Sequence, residues 1–183
     1  MLFTSEKKYL PLVQQVSKEF NVPAALILGH VRQESNFDPK AYRAEPKIND
    51  ASYGLMQVLL KTAKSIEPNA NPDKLYDPLY SLRIGTAYIG QNLKKFGNVP
   101  DAVAAYNSGV AKKDTYGRYV SNSGTNVQPY VDKVIRNYNM YDDWLNKGAN
   151  VIELSIINPL EISLLLLSGF SLIFILGRTK WKK

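Results

Sequence analysis

Helix start signals recur along the first 150 residues, and they constrain the fold more than any other feature of this sequence. A capping residue followed closely by proline, or a proline alone, opens three segments, which begin at Asn21, Asp77 and Pro100. Proline is favoured in the first turn of a helix, because the N–H that it lacks would have no intrahelical partner there. The signals predict helices over about 23–34, over 78–96 and from Pro100 onward, and therefore a mainly α-helical domain.

The segments around these helices complete a helical plan. Hydrophobic residues at helical spacing predict an amphipathic packing helix over 5–20, and further helices are expected over 54–65 and 128–146. Two polar stretches rich in turn-forming residues, 38–53 and 109–127, are predicted to be loops. At most a short β-hairpin is expected near these loops.

The residue types that build most metal and redox sites are scarce. The chain has no cysteine and a single histidine, His30. It therefore holds no disulfide and no thiolate metal site, and neither a metal nor another cofactor is expected. The net charge of +7 indicates anionic surroundings, such as an acidic polymer, anionic lipid or nucleic acid. Nucleic acid is not expected as a partner, because the first 150 residues contain no helix-turn-helix, zinc-finger or dense basic pattern.

One carboxyl group, that of Glu34, stands where an apolar helix meets a polar loop. A carboxyl group in such a place can be partly desolvated, which raises its pKa and keeps it protonated near neutral pH. Taken alone, the more common interpretation is a solvated glutamate at a helix end. His30 precedes Glu34 by one helical turn. The two could share a metal ion, although a histidine in this position more often serves packing or lies at the surface.

Four short motifs follow one another on the predicted helical segments, and each is weak by itself. They are Glu34-Ser35-x-Phe37, Gly54-Leu55-Met56-Gln57, Ala105-Tyr106-Asn107-x-Gly109 and Tyr130-Val131. Together, in this order and at these spacings, they resemble the soluble lytic transglycosylase domain, a lysozyme-like helical fold that acts on peptidoglycan. The resemblance covers about residues 9–140.

The resemblance implies a role for each motif residue. Glu34 would be the catalytic acid and base, and Tyr106 would hydrogen-bond its carboxyl group. Tyr130 would form a second wall of the cleft, and Met56 would touch the substrate unless it only fills the core. The implied substrate-binding residues are Ser35, Met56, Gln57, Tyr106, Asn107 and Tyr130.

The resemblance also implies a reaction that needs one carboxyl group. Glu34 would protonate the bridging oxygen of the β-1,4 bond between N-acetylmuramic acid and N-acetylglucosamine in a peptidoglycan glycan strand. The ionised carboxylate would then take the proton of the muramyl 6-hydroxyl, and a 1,6-anhydro ring would close without water. Ordinary glycosidases use two carboxyl groups, so Asp50 is the rival second one in a hydrolytic lysozyme of the goose type. A non-catalytic wall-binding protein of a virion is the third interpretation.

The end of the chain has a different character. Fifteen residues without a charge, 162–176, precede a basic end, 178–183. This pattern predicts a single C-terminal transmembrane helix that contacts the membrane through residues 154–176. A buried helix of the soluble fold is the alternative. The chain is therefore predicted to consist of a lytic transglycosylase domain, 1–148, and a membrane anchor, 149–183.

The start of the chain bears on localisation. A secretory signal is not expected in residues 1–20, because lysine and glutamine residues interrupt every apolar run. The positive-inside rule would still place the basic C-terminal end in the cytoplasm and the enzyme outside. Two membrane-anchored localisations are therefore expected as alternatives. One is the virion membrane of a bacteriophage, and the other is the bacterial inner membrane with the catalytic domain facing the periplasm.

Overall fold

This computed structural model describes residues 3–156, with side-chain burial described to residue 147. Helices account for most of these residues. The helices are α1 (Thr4–Phe20), α2 (Ala24–Glu34), α3 (Leu60–Ile66), α4 (Pro72–Leu75), α5 (Pro78–Phe96), α6 (Val99–Ser108) and α7 (Gln128–Ile156). The strands are β1 (Tyr42–Glu45), β2 (Asp50–Tyr53), β3 (Val58–Leu59), β4 (Lys112–Lys113) and β5 (Tyr119–Val120). The prediction of a mainly α-helical domain is confirmed.

Side-chain caps explain where two of these helices begin. The Asp77 side chain accepts a hydrogen bond from the Tyr80 backbone N–H at 2.8 Å, which caps α5 as predicted. Asn98 caps α6 through the Asp101 backbone N–H. Asn21 has a different role from the one predicted. It ends α1 in the left-handed conformation, with φ 52°, so it closes one helix and does not start the next.

Strands β1, β2 and β3 form a three-stranded antiparallel sheet. A loop over 38–53 and a helix from residue 54 were expected there. Strand β2 lies between β1 and β3, and Tyr53 pairs with Tyr42 on one side and Val58 on the other. The predicted helix over 54–65 is wrong in its first half. Gly54 and Gln57 have φ angles of +70° and +44°, which a right-handed helix cannot contain, and α3 starts only at Leu60.

Helix α2 is buried on almost all sides, which places it at the centre of the helical domain. Its fully buried apolar side chains include Leu26, Ile27, Leu28 and Val31. Gly29 lets α7 approach closely, because a Cβ atom there would lie 3.1 Å from the Tyr138 backbone nitrogen. The helix that ends in Glu34 is therefore held by its neighbours along its length.

A buried carboxylate ties three helices together near the same helix end. Glu6 on α1 is 3% exposed. It accepts hydrogen bonds from the Tyr141 hydroxyl of α7 at 2.7 Å and from Arg32 of α2 at 3.1 Å. A charged group is found buried when it is paired in this way, and the pairing fixes α2 two residues before Glu34.

The structure does not support the predicted C-terminal transmembrane helix. Within residues 3–156, no helix is long and apolar enough to cross a membrane. The last helix described, α7, carries charged residues along its length. This finding contradicts the second part of the predicted fold class, and it also contradicts the membrane-anchored localisation, in a virion or in a bacterial inner membrane. Residues 157–176, on which most of the prediction rested, lie outside the described residues.

The chain divides into two compact units, Met1–Asp143 and Trp144–Lys183. The first unit contains the sheet and all four motifs. In the second unit, the described residues 144–156 are helical. The domain boundary expected at residue 148 stays a prediction.

Candidate active site

Glu34 is the last residue of α2, and the chain turns sharply after it. Asn36 and Phe37 follow with φ angles of 50° and 67°. Two consecutive non-glycine residues in the left-handed region are uncommon, and such strain concentrates at functional sites. The Ser35 hydroxyl donates to the Leu55 carbonyl oxygen at 2.8 Å. Ser35 therefore joins the end of α2 to the Gly54–Gln57 segment, and its contact with a substrate stays a prediction.

The Gly54–Gln57 segment forms a rigid turn beside Glu34. The Gln57 amide donates to the carbonyl oxygens of Ala41 and Gly54, at 3.0 and 3.2 Å. Met56 is fully buried and packs so closely on α5 that a Cβ atom on Gly85 would lie 2.6 Å from it. The predicted substrate contact of the Met56 side chain is therefore wrong, because the side chain fills the core.

Two tyrosines approach the site, and their roles differ from those predicted. The Tyr130 hydroxyl donates to Glu34 Oε1 at 2.5 Å. The Tyr106 hydroxyl donates to the Met56 carbonyl oxygen at 2.8 Å. The predicted hydrogen bond from Tyr106 to the Glu34 carboxyl is wrong. The Tyr106 ring lies 4.5 Å from His30 and 5.2 Å from Tyr88, measured between ring centroids.

Burial governs the ionisation of the groups around Glu34. It raises the pKa of Glu34 to about 7, although the hydrogen bond from Tyr130 and the positive charge of Arg43 both act in the opposite direction. Burial also raises the pKa of Tyr106 and of Tyr130 well above the usual value. Both tyrosines therefore stay neutral near pH 7 and remain hydrogen-bond donors. The raised pKa of Glu34 therefore keeps a substantial fraction of its carboxyl group protonated near neutral pH.

A cleft passes over the Glu34 carboxyl group. On one side is a cavity of about 270 Å³, whose lining includes Tyr88, Tyr106 and the exposed Asn107. On the other side is a more open pocket, whose lining includes Arg32, Lys40 and Tyr42. Glu34, Arg43 and Gln57 line both. A polymer lying in this cleft would cross the carboxyl group.

The cleft also contains a charged pair on β1 that the sequence did not indicate. Arg43 and Glu45, both on β1, form an ion pair at 2.6 Å and line the cavity. They lie in a stretch interpreted as a loop, so no periodicity marked them. Their position on β1 follows from the fold of the sheet.

Asp50, the rival second carboxyl group, is occupied elsewhere. Its two oxygens accept hydrogen bonds from the backbone N–H groups of Ala51 and Lys61, at 2.8 and 3.1 Å. It is absent from the lining of both cavities beside Glu34. Among the residues that the structure describes, no three His, Asp or Glu side chains are grouped so that they could hold a metal ion.

The chain is similar in sequence to known transglycosylases. The family model described as Transglycosylase SLT domain matches residues 11–129. A transglycosylase of Enterobacteria phage PRD1 is 29% identical over 124 residues, which are 68% of this chain and 40% of that protein. A membrane-bound lytic murein transglycosylase C of Glaesserella parasuis serovar 5 (strain SH0165) is 37% identical over 90 residues, which are 45% of this chain and 23% of that protein.

The chain is also similar to solved structures of lytic transglycosylases. An inactive mutant of the lytic transglycosylase Slt from Pseudomonas aeruginosa superposes with a TM-score of 0.61 and 24% identity over 74% of this chain and 24% of its own. This similarity shows the fold alone. A complex of the 70-kDa soluble lytic transglycosylase with bulgecin A has a TM-score of 0.60 and 25% identity over 75% of this chain and 24% of its own.

The chain belongs to the Transglycosylase SLT domain family. The family predicted from the sequence is confirmed. The chain spans two fifths or less of the length of these relatives.

Proposed function

We propose that this chain cleaves the β-1,4 bond between N-acetylmuramic acid and N-acetylglucosamine in peptidoglycan, and forms 1,6-anhydro-N-acetylmuramic acid. Glu34 acts as the single acid and base. The observation that carries this proposal is the placement of one desolvated carboxyl group between the two arms of a cleft. The names of the relatives, which include a lytic murein transglycosylase and a bacteriophage transglycosylase, support the substrate class and a role in local wall opening.

The first step requires a proton on Glu34. Oε1 accepts the hydrogen bond from Tyr130, so the transferable proton sits on Oε2. It passes to the bridging oxygen as the bond from the muramyl C1 to that oxygen breaks, and the N-acetylglucosamine unit leaves with a new hydroxyl group. A pKa of about 7 keeps enough of the carboxyl group protonated for this transfer.

The second step uses the carboxylate that the first step leaves. Oε2 takes the proton of the muramyl 6-hydroxyl, and the 6-oxygen bonds to C1. Glu34 is protonated again and no water is consumed. Tyr130 serves both steps, because a hydrogen bond from its neutral hydroxyl stabilises the ionised carboxylate between them. Gln57 and Asn107 line the cleft and are proposed to contact the glycan. Tyr106 donates a hydrogen bond to the Met56 carbonyl oxygen, which fixes the turn next to Gln57.

The product is the sharpest test of this reaction. Purified sacculi incubated with the protein are expected to release muropeptides that end in 1,6-anhydro-N-acetylmuramic acid, identified by mass spectrometry through the loss of one water relative to the reducing sugar. Reducing ends alone would mean hydrolysis. Binding to sacculi without any released fragment would mean a wall-binding protein.

A second prediction concerns the hydrolytic alternative. Asp50→Asn is expected to keep cleavage within about twofold of wild type, because the Asp50 oxygens cap backbone N–H groups outside the cleft. Loss of one cap would cost only about 1 kcal/mol of stability. The measurement is the initial rate of sacculus solubilisation, with the melting temperature as a control. A rate reduced a hundredfold or more in a folded variant would restore Asp50 as the second carboxyl group.

A further inference from the structure

The lone histidine of the chain lies inside the protein, one turn before the catalytic carboxyl group. His30 is 1% exposed, and its Nδ1 atom lies 3.2 Å from the Tyr130 hydroxyl oxygen. The same hydroxyl group contacts Glu34 Oε1 at 2.5 Å. His30, Tyr130 and Glu34 therefore form a chain of two hydrogen bonds, and the reaction described above uses only the second of them.

The direction of both hydrogen bonds follows from the number of hydrogens available. An ionised carboxylate only accepts, so the single hydrogen of the Tyr130 hydroxyl points to Glu34. The Tyr130 oxygen is then the acceptor for His30, and Nδ1 must carry the ring hydrogen. The same arrangement holds when Glu34 is protonated on Oε2, since Oε1 still accepts.

His30 takes part in this chain as a neutral ring. Burial lowers its pKa to about 3, so the ring is uncharged near neutral pH. The titratable groups that face His30 are Tyr106 and Tyr130, from α6 and α7. A neutral imidazole has one ring hydrogen, and Tyr130 is the partner that selects its position on Nδ1.

We propose that His30 is a positioning residue, which holds the Tyr130 hydroxyl group against Glu34 by donating the Nδ1 hydrogen to the Tyr130 oxygen. The inference rests on the proposed function only in naming Glu34 as the reacting group. Hydrogen bonds in a chain polarise one another. Donation by His30 makes Tyr130 a stronger donor to the carboxylate, and this favours the ionised form of Glu34.

Loss of the donor is therefore expected to raise the pKa of Glu34. The other groups that face this carboxyl are Arg43 from β1 and Tyr106 from α6, whereas Tyr88 and Glu45 line the same cavity. Tyr106 also packs against His30, with 4.5 Å between the ring centroids. A change in the Glu34 titration is therefore assigned to the His30–Tyr130 contact only if it disappears in a background without the Tyr130 hydroxyl.

The experiment compares two substitutions at the same position. His30→Leu removes the donor and keeps an apolar side chain of similar reach, whereas His30→Asn keeps a side-chain N–H near the position of Nδ1. The Glu34 carboxyl is titrated by ¹³C NMR, which needs no substrate. His30→Leu is expected to raise the midpoint by about half a pH unit or more, and His30→Asn is expected to return it to within about 0.2 pH units of wild type.

The same titration in a Tyr130→Phe background shows whether His30 acts through Tyr130. There, His30→Leu is expected to cause no further change in the midpoint. An equal change with and without the Tyr130 hydroxyl would overturn the proposal, as would an unchanged midpoint in His30→Leu alone. The rate of sacculus cleavage, followed in parallel, reports on the proposed function separately.

A measurement on the unmodified protein keeps the test valid if a variant does not fold. The chain has one histidine, so ¹⁵N-histidine labelling gives the spectrum of a single imidazole ring. The expected result is a neutral ring with hydrogen on Nδ1 between pH 5 and 9. A ring with hydrogen on Nε2, or a ring that gains charge in that range, contradicts the proposal.

Discussion

Glu34→Gln is expected to lower the rate of glycan cleavage by about a thousandfold, because glutamine can neither donate the proton to the bridging oxygen nor accept one from the 6-hydroxyl. General acid and base catalysis contributes a factor of about 10²–10⁴, and here one group performs both steps. The Tyr130 hydroxyl can still donate to the amide oxygen, so the site keeps its shape. The measurement is the release of soluble muropeptides from purified sacculi.

The same substitution is expected to stabilise the fold at alkaline pH. The pKa of Glu34 is about 7 in the folded protein against an ordinary value of 4.5, so the folded state holds this proton more tightly than the unfolded state. The free energy of unfolding of the wild type therefore falls as the pH rises from about 4.5 to 7, and stays lowered above that. Glu34→Gln lacks this loss, and at pH 8 it should be more stable by about 3 kcal/mol.

A matched control shows whether the changes in cleavage rate and in stability are specific to Glu34. Glu67→Gln makes the same chemical change at a partly exposed glutamate, which pairs with Lys74 at 3.6 Å and does not line either pocket beside Glu34. It should leave the cleavage rate unchanged and give no comparable gain in stability at pH 8, because its side chain keeps contact with solvent. Wild-type cleavage by Glu34→Gln would remove the assignment, and a loss of stability at pH 8 would show that the carboxylate is not desolvated.

Gly54→Ala is the second substitution with a large expected effect, and it acts on stability. A Cβ atom at Gly54 would lie 2.0 Å from the Leu75 carbonyl oxygen, and the residue has φ +70°. The backbone would have to move, and the left-handed conformation adds its own cost. A loss of at least about 3 kcal/mol in the free energy of unfolding is expected. Urea denaturation measures it.

Gly97→Ala provides the comparison for this effect. Gly97 has φ +74°, but nothing lies within 4 Å of the position of its added Cβ atom. Its cost should be confined to the backbone conformation, about 1 kcal/mol. If Gly54→Ala costs no more than Gly97→Ala, the close approach to Leu75 does not limit the fold.

The helices were predictable because their ends carry local chemical signals. Asp77 and Gly97 mark the two ends of α5 in the sequence and in the structure. The sheet was not predictable, since its strands are two to four residues long and too short to show a period. The helix expected from residue 54 fails on the positive φ angle of Gln57, a conformation that non-glycine residues rarely show.

In the candidate site, too, the features set by neighbouring residues were predictable, whereas the contacts between distant parts of the chain were not. Glu34 and Ser35 were identified at a helix end, where the structure has them. The partner of the Glu34 carboxyl was assigned to Tyr106, but Tyr130 makes the contact from a position 96 residues away. Nothing local in the sequence states which of two tyrosines reaches a carboxyl group, because helix packing decides it.

Helix packing also sets the distance between the Glu34 carboxyl group and the Tyr130 hydroxyl group. Glu34 belongs to α2 and Tyr130 to α7, and these helices approach each other at Gly29, where no side chain separates their backbones. The length of the Tyr130–Glu34 hydrogen bond is therefore a consequence of the interhelical spacing at Gly29. A methyl group at Gly29 would act as a wedge of a few tenths of an ångström. The hydrogen bond that steadies the Glu34 carboxyl group is thereby subject to a mechanical tolerance, which any change in the fit of the two helices will alter.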